Sequence, residues 1–188
     1  MSVESGRIEI IMGCMFSGKS TEIIRIIKRY KILNKKILVI NHVNDKRYTD
    51  EEKIVTHDMV SYNCIFKSSL EELISNKSQQ YLNSDIIVIE EAQFFPDLYN
   101  FVVKSADLYN KTLIIAGLDG DFKREMFGDI LRLIPHAESV TKLNALCLVC
   151  NDGTLASFTK RLTNDKNQTL IGSSESYIAV CRKHFNNL

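Results

Sequence analysis

Residues 8 to 20 read Ile-Glu-Ile-Ile-Met-Gly-Cys-Met-Phe-Ser-Gly-Lys-Ser, an apolar run that passes straight into Gly13, four mixed residues and Gly18-Lys19-Ser20. The pattern G-x-x-x-x-G-K-S between a strand and a helix is a demanding one. Glycines let backbone N–H groups turn inward around anionic oxygens, and the following helix offers the positive end of its dipole. Lys19 adds a charge at the outer phosphates, and Ser20 can ligate Mg²⁺. Gly13, Cys14, Met15, Phe16, Ser17, Gly18, Lys19 and Ser20 are therefore expected to hold the phosphates of ATP. A turn that merely caps a helix would need neither the preceding strand nor the lysine.

The loop demands a parallel sheet, and the chain supplies one. Apolar runs at 8–12, 37–40, 86–89 and 113–116 suit strands covered on both faces. Between the first two, residues 21–30 place Ile23, Ile24, Ile26 and Ile27 on one stripe and Arg25, Lys28 and Arg29 on another, completing a β-α-β unit. Ser68 or Ser69 with Glu71 or Glu72 reads as a capping box for a helix through Ile74. Pro96 is expected to open a helix carrying Leu98, Phe101, Val102 and Leu108. From Leu146 the composition turns to cysteines and polar residues, with 157–168 reading as a long exposed loop. The division expected is residues 1–142 as an α/β P-loop NTPase-type domain, a parallel sheet with helices on both faces. Residues 143–188 then form a small zinc-ribbon-like domain.

Net charge narrows the acceptor. At +1 over 188 residues, with 25% charged side chains of both signs, there is no broad basic face for a nucleic-acid polymer. No apolar run approaches bilayer length and no signal peptide is visible, so a cytoplasmic protein with no membrane partner is expected. Three of five cysteines crowd the last quarter, and in a reducing compartment Cys147-x-x-Cys150 with Cys181-x-x-His184 reads as a closed tetrahedral zinc site. That site would tie the base of the loop between the two pairs. Cys14 and Cys64 read as buried small groups, although a thiol in a phosphate loop also makes Cys14 a candidate for oxidation.

Glu90 and Glu91 end the apolar run 86–89. Beside a P-loop, a carboxylate at a strand exit is where magnesium is held, and Glu90 takes that role together with Ser20. Alternation along the strand would send Glu91 the other way, free to act as general base on an acceptor hydroxyl. Phe94 and Phe95 follow, and their faces suit a planar base. An ATPase moving along nucleic acid has a similar acidic strand end, and a non-catalytic zinc-ribbon switch is a further alternative.

With Gly13 to Ser20, the run Glu90-Glu91-Ala92-Gln93-Phe94-Phe95-Pro96-Asp97 and Leu118-Asp119-Gly120-Asp121-Phe122 taken together, the chain resembles the zinc-containing thymidine kinases over nearly its whole length. The resemblance implies transfer of the ATP γ-phosphoryl to the 5′-hydroxyl of thymidine, with Glu91 as base and Glu90 on magnesium. It also implies thymine contacts from Met15, Phe94, Leu118 and Phe122, a phosphate-proximal pair Asp45 and Arg47, and a homotetramer. Backbone groups of Gln168, Thr169, Leu170, Ile171 and Gly172 would read the base edge, and Tyr177 the sugar. Two departures stand out: Cys14 where the family often has proline, and His184 where many members have cysteine.

Overall fold

The computed structural model describes residues 5–45, 53–55, 61–170 and 175–187. Its centre is a six-stranded sheet in which every neighbouring pair is parallel. In chain order the elements begin with β1 (Arg7–Gly13), α1 (Lys19–Ile32) and β2 (Ile37–His42). A short hairpin of β3 (Lys53–Val55) and β4 (Ser61–Asn63) and an edge strand β5 (Ile65–Lys67) follow. Next come α2 (Glu71–Ser75), α3 (Gln79–Asn83), β6 (Ile86–Ile89), α4 (Leu98–Asp107), β7 (Thr112–Gly117) and β8 (Ser139–Leu143). The sheet order is β5-β2-β6-β7-β1-β8.

The continuous apolar runs have a simple cause. Odd and even residues of each inner strand enter different cores, because successive side chains leave a strand on opposite faces. Ile10, Ile40, Ile87, Ile89 and Ile115 pack on one face with Leu98, Phe101 and Val102 of α4. Ile11, Val39, Val88 and Ile114 pack on the other with Ile23, Ile26 and Ile27 of α1. Helices thus cover both faces, as the sequence implies.

Three local expectations change. The start of α2 carries no side-chain cap from within its own segment. Instead Asp97 Oδ2 accepts from Ser69 Oγ (2.6 Å) and from the backbone N–H groups of Leu70 (2.8 Å) and Glu71 (2.9 Å). Asp97, rather than Pro96, stands at the N-cap of α4, and Leu108 falls just past its end with 69% of its surface exposed. Finally, 157–168 is not all loop: β11 (Phe158–Arg161) pairs antiparallel with β12 (Tyr177–Val180). Its polar residues hid the alternation, which buries Thr159 and Arg161 on one side.

The remaining C-terminal elements are β9 (Ala145–Leu146), antiparallel to β10 (Leu155–Ala156), and the short α5 (Arg182–Asn187). No helix among the described residues is long and apolar enough to cross a membrane.

Candidate functional site

Parallel strands leave a crevice beyond their carboxyl ends, and here the ends of β1, β6 and β7 open into a cavity of about 320 Å³. The P-loop forms one wall. A Cβ on Gly13 would lie 2.3 Å from the Leu143 carbonyl oxygen and 2.9 Å from Ser17 Oγ, so only glycine lets the loop leave β1 beside β8. Gly18, at φ +84°, turns the chain into α1. Met15, Phe16, Ser17, Gly18, Lys19 and Ser20 line the cavity. Gly13 and Cys14 do not; their carbonyls accept from Lys19 Nζ at 3.3 and 2.8 Å. Burial lowers the pKa of this ammonium against the opposing pull of Glu91, Cys14, Glu90 and Asp119.

Glu90 is buried and continues the strand ladder through its N–H to the Ile40 carbonyl. Ser20 Oγ donates to its Oε1, while Oε2 is buried with no hydrogen-bond partner among the described residues. Desolvation pushes its pKa up to about 8, with Ser20 pulling down, Glu91 and Asp45 pushing up and Lys19 pulling down. A buried, protonatable carboxyl with one unsatisfied oxygen beside a serine hydroxyl fits a hard cation that takes oxygen ligands.

Glu91 corrects the sequence reading in its cause. The strand ends at Ile89, and Glu91 takes a left-handed conformation (φ +51°) leading into a 3₁₀ turn over Ala92–Phe94. A backbone turn, not strand alternation, separates the two carboxylates, and both line the same cavity. A non-glycine residue held there costs about 1–3 kcal/mol, a strain that clusters at functional sites.

The adjacent phenylalanines part company. Phe94 lines the cavity and meets Phe127 edge-on at 5.4 Å. Phe95 is 1% exposed in the core, edge-on to His42 at 4.8 Å, so it takes no part in the cavity wall. Leu118 and Phe122 line the cavity, as do Gln168, Thr169, Leu170 and Tyr177 from the C-terminal part, and Asp45 lies at its margin. Arg47, Ile171 and Gly172 lie outside the described residues.

Several wall residues escaped the sequence reading. Thr159 Oγ1 accepts the Met15 N–H at 3.0 Å, fastening the P-loop to β11. Arg161 has a side chain only 2% exposed, stacked 3.7 Å from the Phe122 ring centroid. It donates to the carbonyls of Asp165 (3.0 Å), Asn167 and Gln168 (3.0 Å), and to the Tyr177 hydroxyl (2.7 Å). The Tyr177 hydroxyl in turn donates to the Leu170 carbonyl at 2.8 Å. Gln168 Nε2 reaches Asp121 Oδ2 at 2.9 Å. Alternating Thr159 and Arg161 in a four-residue strand is the one signal that could have revealed them.

Behind β10 and β12, the donor atoms of Cys147, Cys150, Cys181 and His184 lie within 4.8 Å of one another. His184 Nδ1 is 3.3 to 3.5 Å from the three sulfurs. Burial raises the Cys147 thiol, but the backbone N–H groups of Cys181 and Cys150 and the His184 imidazole bring it down to about 6. The cluster suits a metal ion held by thiolates and an imidazole. Cys14 belongs to the same small core as Cys147 and Cys181. Its thiol donates to the Ala156 carbonyl at 3.3 Å, and burial raises its pKa. Burial thus works against the thiolate form on which oxidation depends, and Cys14 packs as the small buried group that the sequence reading expects.

A P-loop cradle facing a paired carboxylate and an aromatic slot defines a phosphotransferase that moves a phosphoryl group from a nucleotide to a small planar acceptor. Comparison with known proteins narrows the class. The thymidine kinase family model matches residues 6–185. A thymidine kinase of Yaba monkey tumor virus is 46% identical over 182 residues, covering 97% of this chain and 96% of the relative. Thymidine kinase 1 of Dictyostelium discoideum is 44% identical over 97% of this chain and 79% of its own, and that of Fowlpox virus 42% over 97% and 98%. The chain belongs to the thymidine kinase family.

Proposed function

We propose that this chain transfers the γ-phosphoryl group of Mg-ATP to the 5′-hydroxyl of thymidine, giving thymidine monophosphate and ADP. The observation that carries the reading is the placement of Glu90 and Glu91 in one cavity, between the P-loop and the Phe94–Leu118–Phe122 wall. The P-loop amides and Lys19 bind the phosphates, Lys19 exchanging its loop carbonyls for phosphate oxygens. Ser20 and Glu90 hold the magnesium ion, which supplies charge neutralisation at the β- and γ-phosphates. Glu91 accepts the proton of the 5′-hydroxyl as the new P–O bond forms and the bond to ADP breaks. Phe94 and Phe122 flank the thymine with Met15 and Leu118, backbone groups of Gln168, Thr169, Leu170, Ile171 and Gly172 read its edge, and Tyr177 meets the sugar. Asp45 and Arg47 attend the phosphates.

In the same reading the Cys147, Cys150, Cys181 and His184 cluster holds structural zinc. A tetrahedron with Zn–S bonds near 2.3 Å has edges of roughly 3.7 Å, and Cys150 Sγ and Cys181 Sγ stand 3.8 Å apart. The division into a kinase part, 1–142, and a zinc-bearing lid, 143–188, a homotetrameric assembly and a cytoplasmic location complete the proposal. The experiment is product analysis with purified protein. ADP and thymidine monophosphate are expected in equal amounts, only with both substrates and magnesium, and Glu91→Gln should lower kcat by at least ~100-fold. Nucleoside-independent ATP hydrolysis stimulated by DNA would overturn the reading.

A further inference from the structure

The mechanism uses one oxygen of Glu91 and says nothing of what holds the other. We infer that Gln93 is a positioning residue, which locks the Glu91 carboxylate in place for proton transfer by bracing it against the end of β7. The inference rests on the reading of Glu91 as the base.

Gln93 is buried, 3% exposed, yet none of its polar atoms is idle. Its Nε2 donates to Glu91 Oε2 at 2.5 Å, and its Oε1 accepts the Leu118 N–H at 3.0 Å. The second bond decides the first. A backbone N–H can only donate, so the amide oxygen must face Leu118 and the NH₂ must face Glu91. The amide therefore offers the carboxylate a donor and never an acceptor. The amide thereby fixes one oxygen of Glu91, and with it the orientation of the carboxylate plane.

The fold makes room for Gln93 at two places, for its side-chain amide at Gly117 and for its main chain at Gly128. A Cβ on Gly117 would lie 2.5 Å from Gln93 Oε1. One on Gly128, at φ +62°, would lie 2.3 Å from the Gln93 carbonyl oxygen. The ladder between β6 and β7 ends at Ile89 and Ile115, and Glu91 and Leu118 both lie beyond it. Gln93 supplies a tie between them. It couples the left-handed Glu91 to Leu118, two residues of one cavity wall, fixing the distance between the proton acceptor and the residue proposed to meet the thymine. Holding reacting groups in a near-attack geometry is worth orders of magnitude in rate, and it acts on kcat rather than on ground-state binding.

The test is a double-mutant cycle on the full chain with thymidine and Mg-ATP. Gln93→Glu keeps the shape and the acceptor for Leu118 but replaces the donor by a group that repels Glu91. It should lower kcat by roughly 30- to 100-fold while both KM values stay within about threefold. In a Glu91→Gln background the same change should cost under about threefold more, because its effect passes through Glu91. Gly117→Ala is the second variant, displacing the amide without altering it, and it should reproduce the kcat loss. ADP binding and thermal midpoint report folding. Losses that multiply in the double variant, a Gln93→Glu enzyme within threefold of native kcat, or a KM rise equal to the kcat loss would each overturn the positioning role. Undiminished transfer by Glu91→Gln would instead remove the base assignment, and the inference with it.

Discussion

Replacing Arg161 by methionine should separate nucleoside binding from nucleotide binding. The guanidinium is buried and gathers three backbone carbonyls from Asp165, Asn167 and Gln168, plus the Tyr177 hydroxyl that itself holds Leu170. A hydrogen bond from a charged donor contributes about 1.5–3 kcal/mol, and water can replace part of it in a loop whose residues are mostly exposed. Methionine loses the guanidinium stacking on Phe122, but its thioether can lie against the same ring, which limits the packing loss. We take the closed arrangement of the loop to weaken by about 2–3 kcal/mol, which converts to roughly 30- to 150-fold in apparent affinity. Steady-state kinetics should show the thymidine KM rising by that factor, with the Mg-ATP KM and ADP affinity within threefold of native. Proteolysis should also speed up between residues 162 and 170. Arg161→Lys keeps the charge but loses the planar fork, and should fall between the two. A thymidine KM within threefold of native, or an equal rise for Mg-ATP, would refute the loop-fastening argument.

Glu90 predicts a pH effect on the magnesium-free protein. Its folded pKa lies near 8 against 4.5 for the free side chain. The stability this raised pKa contributes is therefore full below 4.5 and is lost as pH rises toward and through 8, amounting to a few kcal/mol. Thermal midpoints in magnesium-free buffer should fall across that window, and Glu90→Gln should flatten the slope; an unchanged slope counts against the buried acid. Asp97→Ala removes the shared acceptor of Ser69, Leu70 and Glu71 and should cost about 2–3 kcal/mol in urea denaturation, with Asp97→Asn recovering part. A loss under ~0.5 kcal/mol would show that water caps α2 equally well. His184→Ala should reduce bound zinc below one per chain and raise the thymidine KM; full stoichiometric zinc would exclude His184 from the ligand set.

Much of the sheet was readable because its information is local. Each inner strand announces itself by consecutive apolar residues, and the P-loop by contiguous positions with strand and helix on either side. The clustering of Cys147, Cys150, Cys181 and His184 was legible for the same reason, two close pairs at knuckle spacing. What escaped depends on partners distant in sequence or on a single backbone angle. The cap on α2 comes from Asp97, 26 residues beyond Glu71. Phe94 and Phe95 have the same side chain, and only the turn that follows the left-handed Glu91 decides which faces the cavity. Thr159 and Arg161 sit in a strand whose partner begins at Tyr177, across a polar connection that carries no periodic signal of its own.

Cys14 puts the two ends of the chain into one structural unit. A phosphate loop is usually described as a strand-to-helix device that carries its own geometry. Here one side of the loop is walled by Ala156 and by the core that surrounds the metal donors, and its Met15 N–H is held by Thr159. The C-terminal segment thus braces the phosphate loop and also supplies Thr159, Arg161, Gln168 and Tyr177 to the cavity wall. A truncated protein ending near residue 142 would expose Cys14 and release Met15, so it would lose its grip on ATP together with its acceptor pocket. The donor and acceptor halves of this kinase cannot be inherited, exchanged or engineered as separate parts.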